Sequence, residues 1–532
     1  MAFTSLNFLM FLLAVVIVYY IIPKKAQWVF LLIASYTFYL FSGIKPVIYI
    51  IATTLSTYGA ALLMENLREK SKQKIVDLGE DAAKEDKKKI KSVFAKKIHT
   101  VQVVAVLFNL GILAVLKYLN FVSENINSLF SLFKFDFEIP FVNLIIPLGL
   151  SFYTFQSLGY VIDIGRGKYK PQRNLAKYAL FVSFFPQIVQ GPISRFDQIG
   201  EQLVTPHRFD YENFKFGAQL IMWGFFKKLV IADRLALVVN QVLPNYRNYH
   251  GIELMIGIFC YCIQIYGDFS GGIDITRGAA QMMGIDLPQN FERPYFSKNM
   301  TEYWRRWHIT LGAWMREYVF YPVMLSKPIS KLGKNAKKLL GKEVGRIIPS
   351  ALTSFVVFFL IGIWHGATWQ HLAFGLYNAT FITLGMLFKP TFKKIEAKLK
   401  INTECFSWQL WQILRTFVVM AVAKTLVKAP SLKGALVILK RCVFDIQPTL
   451  FTQKTFLKLG LTYNSIIVTA VSFAVLLVVS ILQENGISIR QKLSEQNFVF
   501  RWAVYIIALI VIMIFGIYGP GSNAAEFIYQ QY

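Results

Sequence analysis

Acidic side chains are scarce in this chain. Of its 532 residues only 30 are Asp or Glu, against 57 Lys or Arg, and charged residues of both signs make up 16%. With 55% hydrophobic residues and a mean hydropathy of +0.45, this composition excludes a soluble protein of ordinary kind. A disulfide scaffold is excluded too, because the four cysteines, at 260, 262, 405 and 442, form no framework. Cys260-x-Cys262 lies inside an apolar run without the paired spacing of a zinc site, so the cysteines read as packing residues and no structural metal is expected. The first apolar stretch, Phe8 to Ile22, has no basic region before it and no small-residue cleavage site after it. It reads as a retained span rather than a removable signal.

What is present is a series of apolar runs, near 6–22, 27–42, 45–64, 101–119, 143–162, 174–191, 214–240, 252–270, 347–388, 408–426, 463–482 and 502–518. A helical crossing needs roughly 20 such residues, so about 11–13 membrane segments are expected. Backbone groups in lipid must be satisfied within the segment, and the alternating pattern of a membrane barrel is absent, so the elements are helices. The expected fold class is an all-α polytopic membrane protein, one membrane domain over 1–532 with N-terminal spans in 1–119 and C-terminal spans in 408–518.

A net charge of +27 in a soluble chain would suggest nucleic acid, but here the basic residues lie in short stretches between apolar runs. That pattern concerns orientation in the bilayer, and no nucleic acid is implied. Lys24-Lys25 and the loop Glu65 to His99 read as cytoplasmic, which with the first three spans places the N-terminus outside, and the basic stretch Lys327 to Arg346 should face the cytoplasm. Asn120 to Val142 is mixed in character and is expected outside, at the interface. Gly271 to Pro322 is polar and aromatic and does not read as a plain span.

Two histidines stand out. His365 lies in the middle of Ile347 to Phe388, a run with no Asp, Glu, Lys or Arg. An ionisable group there is costly in hydrocarbon and is a functional hypothesis by default, with proton transfer its most apt work. Counting about 1.5 Å per helical residue puts it roughly 27 Å along a straight helix from Ile347, unless Gly362 or Gly366 breaks the helix. It falls near the turn of a hairpin or inside an interrupted helix. The other reading is a histidine tied to a carbonyl or to headgroup water. The second histidine, His308, lies in TEYWRRWHITLGAWMREYVFYP from Thr301, where a continuous helix would align Trp304, His308, Leu311 and Met315 on one apolar stripe. A buried His308 follows. An interfacial helix with aromatic anchors and snorkelling arginines is the competing reading.

Five stretches, in this order, resemble the membrane-bound O-acyltransferase (MBOAT) family, in the branch of alginate and peptidoglycan O-acetylation membrane proteins and the teichoic-acid D-alanylation protein. They are PLGLSFYTFQSLGYVIDIGRG (147–167), FFPQIVQGPISR (184–195), YGDFSGGIDITRGAAQMMGIDLPQNFERPY (266–295), YWRRWHITLGAWMREYVFYP (303–322) and WHGATWQHLAFGLYNA (364–379). They make 147–379 the motif core, and Glu526-Phe527-Ile528-Tyr529 is similar to the family's aromatic terminus.

The resemblance implies a helical bundle with re-entrant or broken helices around a tunnel, linking a cytoplasmic acyl donor to an acceptor outside. It implies that His365 is the principal catalytic histidine and His308 the second. A general base that takes the hydroxyl proton as the ester bond forms contributes about 10²–10⁴-fold, and burial favours the neutral imidazole that a base requires. Backbone amides near Gly366, the Trp364 or Trp369 indoles, or His308 are candidates for oxyanion stabilisation. Arg305, Arg306 and Arg316, with Trp304 and Trp307, are donor-binding candidates, guanidinium forks being suited to the phosphates of coenzyme A. Anchoring to lipid phosphate is the alternative for the arginines. Asp268 and Asn290 are supporting residues.

The function this implies is acetyl transfer from acetyl-CoA, a substrate rather than a bound cofactor, to an extracytoplasmic polysaccharide hydroxyl or a partner transferase outside a bacterial plasma membrane. D-alanyl transfer from a carrier-protein thioester to teichoic acid is the enzymatic alternative, and a transporter or flippase of a lipid-linked or acyl substrate is the non-enzymatic one. Arg316-Glu317-Tyr318 departs from the commoner Arg-Asp-Tyr, and no residue pattern names a sugar.

Overall fold

Charge-free apolar runs can satisfy their backbone in lipid only by coiling on themselves, and this chain folds as an all-α polytopic membrane protein. The computed structural model describes residues 2–447, 457–518 and Phe527. Among them the only extended pairing is a single antiparallel bridge between Phe291 and Trp307. The chain divides into two compact units, Met1–Gly217 with Ala279–Pro288, and Ala218–Gly278 with Gln289–Tyr532.

The first unit holds α1 (Leu6–Ile21), α2 (Gln27–Leu40), α3 (Lys45–Asp77), α4 (Lys84–Leu132), α5 (Leu150–Arg166) and α6 (Leu175–Ser183). α3 packs on α4 and α5, and α2 on α6. Its interior is rich in tyrosine whose hydroxyls are tied down: Tyr178 shares a 2.8 Å hydrogen bond with Thr57, and the Tyr160 hydroxyl accepts from the Gln172 amide at 2.9 Å.

One expectation is corrected here. The basic stretch 65–99 is not a loop, for α3 continues to Asp77 and α4 begins at Lys84. Its Lys, Glu, Gln and Ala residues are strong helix formers, so both helices run on beyond their apolar stretches. In the mixed stretch 120–142, residues 120–132 are the end of α4. The Asn127 side chain donates to the Ile139 carbonyl at 2.9 Å and accepts from its amide at 2.8 Å, and Asn120 treats Val142 in the same way. Two asparagine amides thus take the place of a strand partner for an extended segment.

The second unit contains α7 (Tyr211–Phe225, which begins in the first), α8 (Asp233–Val242), α9 (Gly251–Met282, which ends in the first), α10 (Met300–Arg306), α11 (Ile309–Met315), α12 (Lys327–His365), α13 (Trp369–Lys398), α14 (Phe406–Lys428), α15 (Leu432–Phe444), α16 (Tyr463–Glu484) and α17 (Phe498–Phe515). A π-helical turn, Phe226–Ala232, follows α7 and carries two buried lysines. Both are matched by carboxylates: Lys227 with Asp274 at 2.7 Å, and Lys228 with Asp233 and Asp268, each at 2.7 Å. Cys260, Cys262 and Cys442 are buried in one apolar cluster, whereas Cys405 is a partly exposed N-cap of α14. Of the aromatic end, only Phe527 lies among the described residues. It is buried, with the Lys228 ammonium 4.7 Å from its ring centre.

Eight helices are long and apolar enough to cross a bilayer among the described residues: α3, α4, α9, the Gly345–His365 part of α12, α13, α14, α16 and α17. The other apolar runs form helices that are short or interrupted, such as α2, α6 and the α7–π–α8 stretch. This is why fewer continuous spans appear than apolar runs. The run 347–388 folds as the hairpin α12–α13. Gly362 and Gly375 face each other so closely that a Cβ on Gly375 would stand 2.8 Å from the Gly362 Cα. Small residues at a crossing let backbones approach in this way.

Candidate active site

His365 is the last residue of α12, and the chain turns through Gly366, Ala367 and Thr368 into α13. The Thr368 hydroxyl caps α13 by accepting from the His371 amide at 3.3 Å and is 2.8 Å from His371 Nδ1. Gly366 has extended backbone, and a Cβ there would lie 2.5 Å from His371 Nδ1. The Trp-His-Gly turn therefore packs its glycine against His371. His365 and His371 line a cavity of about 40 Å³ together with Lys424, Tyr303, Trp304 and Trp307.

His308 is placed by a break in the backbone. The continuous helix expected through 301–315 is overturned: α10 stops at Arg306, α11 starts at Ile309, and His308 between them has φ +49°. A left-handed conformation costs a non-glycine residue about 1–2 kcal/mol, and Asn290 supplies the compensation. The Ile309 amide donates to the Asn290 carbonyl at 3.0 Å, and Asn290 Oδ1 accepts from the Thr310 amide at 3.0 Å and the Thr310 hydroxyl at 2.9 Å. Because a backbone N–H can only donate, that Asn290 atom is an oxygen. His308 Nδ1, 3.3 Å from the same oxygen, therefore carries the proton in the neutral tautomer. The residue is 1% exposed, as expected for a buried histidine, and burial pushes its imidazole down to about 3. His308 is neutral at physiological pH.

Trp364 stands between the two histidines, its ring 6.0 Å from His308 and 4.9 Å from His365. Phe269 meets His308 edge-on at 4.9 Å, and Phe374 meets His365 edge-on at 5.8 Å. On its other side the Asn290–His308 pair adjoins a second cavity of about 630 Å³, which Asn290 helps to line. That cavity is mostly apolar, with Trp223, Phe226 and Tyr266 in its wall and Lys227, Arg277 and Arg293 among its polar groups. Contacts thus run from the large cavity through Asn290, His308 and Trp364 to His365 and the small cavity. Imidazoles beside largely apolar cavities are equipped for proton transfer in acyl chemistry.

The profile described as MBOAT, membrane-bound O-acyltransferase family, matches residues 170–426, a range that holds His308, His365, His371 and Lys424. The chain is also 30% identical, over 82% of its length and 74% of the other protein, to a probable alginate O-acetylase AlgI of Pseudomonas syringae. It belongs to the membrane-bound O-acyltransferase family. A peptidoglycan O-acetyltransferase of Helicobacter pylori is 29% identical over 66% of this chain and 67% of its own, and a teichoic acid D-alanyltransferase of Bacillus subtilis is 30% identical over 47% and 62%. The protein is an acyltransferase.

The other anticipated site residues of this acyltransferase occupy varied places. Trp304 and Trp307 reach the small cavity, Trp304 fixed by donating to Asn378 Oδ1 at 3.1 Å and Trp307 stacked on Tyr303. Arg306 pairs with Glu302 and Glu484, each at 2.8 Å, and Arg293 joins Glu484 at 2.6 Å, so this guanidinium braces α10 against α16. Arg305 and Arg316 are exposed and line neither cavity. Asp268 holds Lys228, while Trp369 is 53% exposed at the start of α13. Two residues in the small cavity escaped the sequence reading, His371 and Lys424. A signal existed for both: His371 shares the charge-free run of His365, and Lys424 is a lysine inside the apolar run 408–426.

Proposed function

We propose that this acyltransferase moves an acetyl group from acetyl-CoA, on the cytoplasmic side of a bacterial plasma membrane, to a polysaccharide hydroxyl or a partner transferase outside, with His365 as the general base. The observation that carries the reading is the small cavity in which His365 meets a cluster of aromatic rings and a second histidine. In the proposed step the acceptor hydroxyl attacks the thioester carbonyl while His365 takes its proton. The tetrahedral intermediate then collapses, the thiolate leaves, and the proton follows it. Proton transfer of this kind contributes about 10²–10⁴-fold.

His308 orders the neighbourhood through Asn290 and Trp364. We assign the exposed Arg305 and Arg316 to the donor's phosphates, with Trp304 and Trp307 closing the space around the acyl group. The basic ends of α3 and α4 support a cytoplasmic placement of those helix ends and an outside N-terminus. An acetyl donor and a polysaccharide acceptor are supported by the relatives named for alginate and peptidoglycan O-acetylation. The relative named for teichoic acid D-alanylation supports the second reading, a D-alanyl thioester donor.

The test uses membranes from cells that carry the wild-type or the His365→Ala protein, supplied with labelled acetyl-CoA or labelled D-alanyl carrier protein. We expect polymer-bound label only from acetyl-CoA, and its loss in His365→Ala with the protein still inserted. Label from the D-alanyl carrier alone would transfer the assignment to the second reading. Undiminished transfer in His365→Ala excludes the base.

A further inference from the structure

We infer that Lys424 is a catalytic cation, which meets the negative charge that develops on the acyl carbonyl oxygen while His365 handles the proton. This extends the proposed reaction and rests on its placement at His365.

Lys424 sits on α14, is 4% exposed and lines the same small cavity as His365 and His371. Its ammonium donates to the Tyr295 hydroxyl, which in turn donates to the Cys262 carbonyl. It lies 4.3 Å from the centre of the Trp307 ring, 4.6 Å from that of Tyr295 and 5.8 Å from that of Tyr303. No carboxylate pairs with it among the described residues. That sets it apart from Lys227 and Lys228 of the same unit, each of which is buried against carboxylates at 2.7 Å. A buried charge is expected to be paired, and aromatic faces return about 2 kcal/mol, well short of what desolvating an ammonium costs. A buried cation with a ring cage, one hydroxyl and an adjoining empty space is arranged for an anion that arrives later.

Size decides what that anion is. A water needs about 10–15 Å³ by this measure, so about 40 Å³ holds roughly three waters or an acetyl-sized group, and no sugar ring. The charge must therefore come with the acyl group. As the acceptor oxygen bonds to the carbonyl carbon, the π pair moves to the carbonyl oxygen, and the acceptor's proton goes to His365. The oxyanion is held by Lys424 until the C=O bond re-forms and C–S breaks, the thiolate taking the proton from His365. Covalent use of Lys424 is excluded by chemistry, since an acylated amine is an amide and would not pass the group to a hydroxyl. A protonated ammonium has no lone pair for such attack.

Lys424→Met removes the charge and keeps most of the volume. Steady-state transfer from labelled acetyl-CoA to membrane polysaccharide should show kcat reduced about 10²–10³-fold with KM for acetyl-CoA within about twofold of wild type. Its unfolding temperature should be no lower, because an unmatched buried charge has gone. Lys424→Ala should regain transfer in the presence of methylammonium, saturably, and should not respond to methanol, a neutral molecule of similar size. A folded Lys424→Met with normal kcat, or one impaired only in KM, overturns the inference. If Lys424→Met fails to insert, the methylammonium response of Lys424→Ala decides, and no response overturns it. His365→Ala is run alongside. Activity in His365→Ala with loss in Lys424→Met removes the base but keeps the cation, and the converse removes the cation but keeps the base.

Discussion

Replacing Gly366 with Ala tests whether close packing at the Trp-His-Gly turn sets the histidine geometry. The backbone at Gly366 is extended, with φ −176°, so alanine meets no conformational penalty there. The whole effect must come from the new methyl, which would stand 2.5 Å from His371 Nδ1 and 2.6 Å from its Cε1. Ordinary contact begins near 3.4 Å, so the ring has to retreat by about 1 Å, and it has little free space to do so at 5% exposure. That displacement breaks the 2.8 Å contact with the Thr368 hydroxyl. Overpacking costs about 1–3 kcal/mol and the lost hydrogen bond about 1, giving roughly 2–4 kcal/mol in all. A double-mutant cycle isolates the cause. Gly366→Ala should destabilise the wild-type protein by that amount in detergent unfolding, and should cost much less in a His371→Ala background, where the ring is gone. Acyl transfer should fall in the single variant even where it is fully folded. Strictly additive effects would refute the steric account, since two groups that clash must couple.

Other outcomes are expected on the same physical grounds. Gly375→Ala sets a methyl 2.8 Å from the Gly362 Cα and 3.0 Å from the Phe358 carbonyl oxygen, and backbone cannot rotate aside; a loss of at least about 1–3 kcal/mol and a loosened α12–α13 hairpin should appear in thermal unfolding. Lys228→Met leaves Asp233 and Asp268 buried, each at 2% exposure, without their shared cation, and should cost about 3–5 kcal/mol; adding Asp233→Asn and Asp268→Asn should recover much of it. Stability should also fall in acid. The buried His308 has its pKa lowered to about 3 from the ordinary 6.5, so below pH 6.5 the unfolded chain takes up a proton that the folded one does not. The folded state should lose about 1.4 kcal/mol per pH unit between 6.5 and 3 on this account, and His308→Gln should flatten that slope in pH-dependent unfolding.

Composition and pattern alone determined the solvent of this protein and its helical class, five motifs carried the family resemblance, and the order of residues singled out His365 as a candidate. These are one-dimensional properties: a bilayer reads apolar length, and a charge-free run that holds histidines is visible in the order of residues. Helical periodicity could not reveal the break at His308, because it depends on Asn290, eighteen positions earlier, offering a backbone and a side-chain oxygen to a chain that would otherwise have coiled on. Nor could it reveal that Arg306 is occupied by Glu484, or that Lys424 on α14 and His371 on α13 converge on the space beside His365. Spacing along one helix reports which residues share a face. Which face of another helix they meet is settled by tertiary packing, and in this enzyme that packing alone brings Lys424, a buried cation with no carboxylate partner among the described residues, to the cavity that His365 lines.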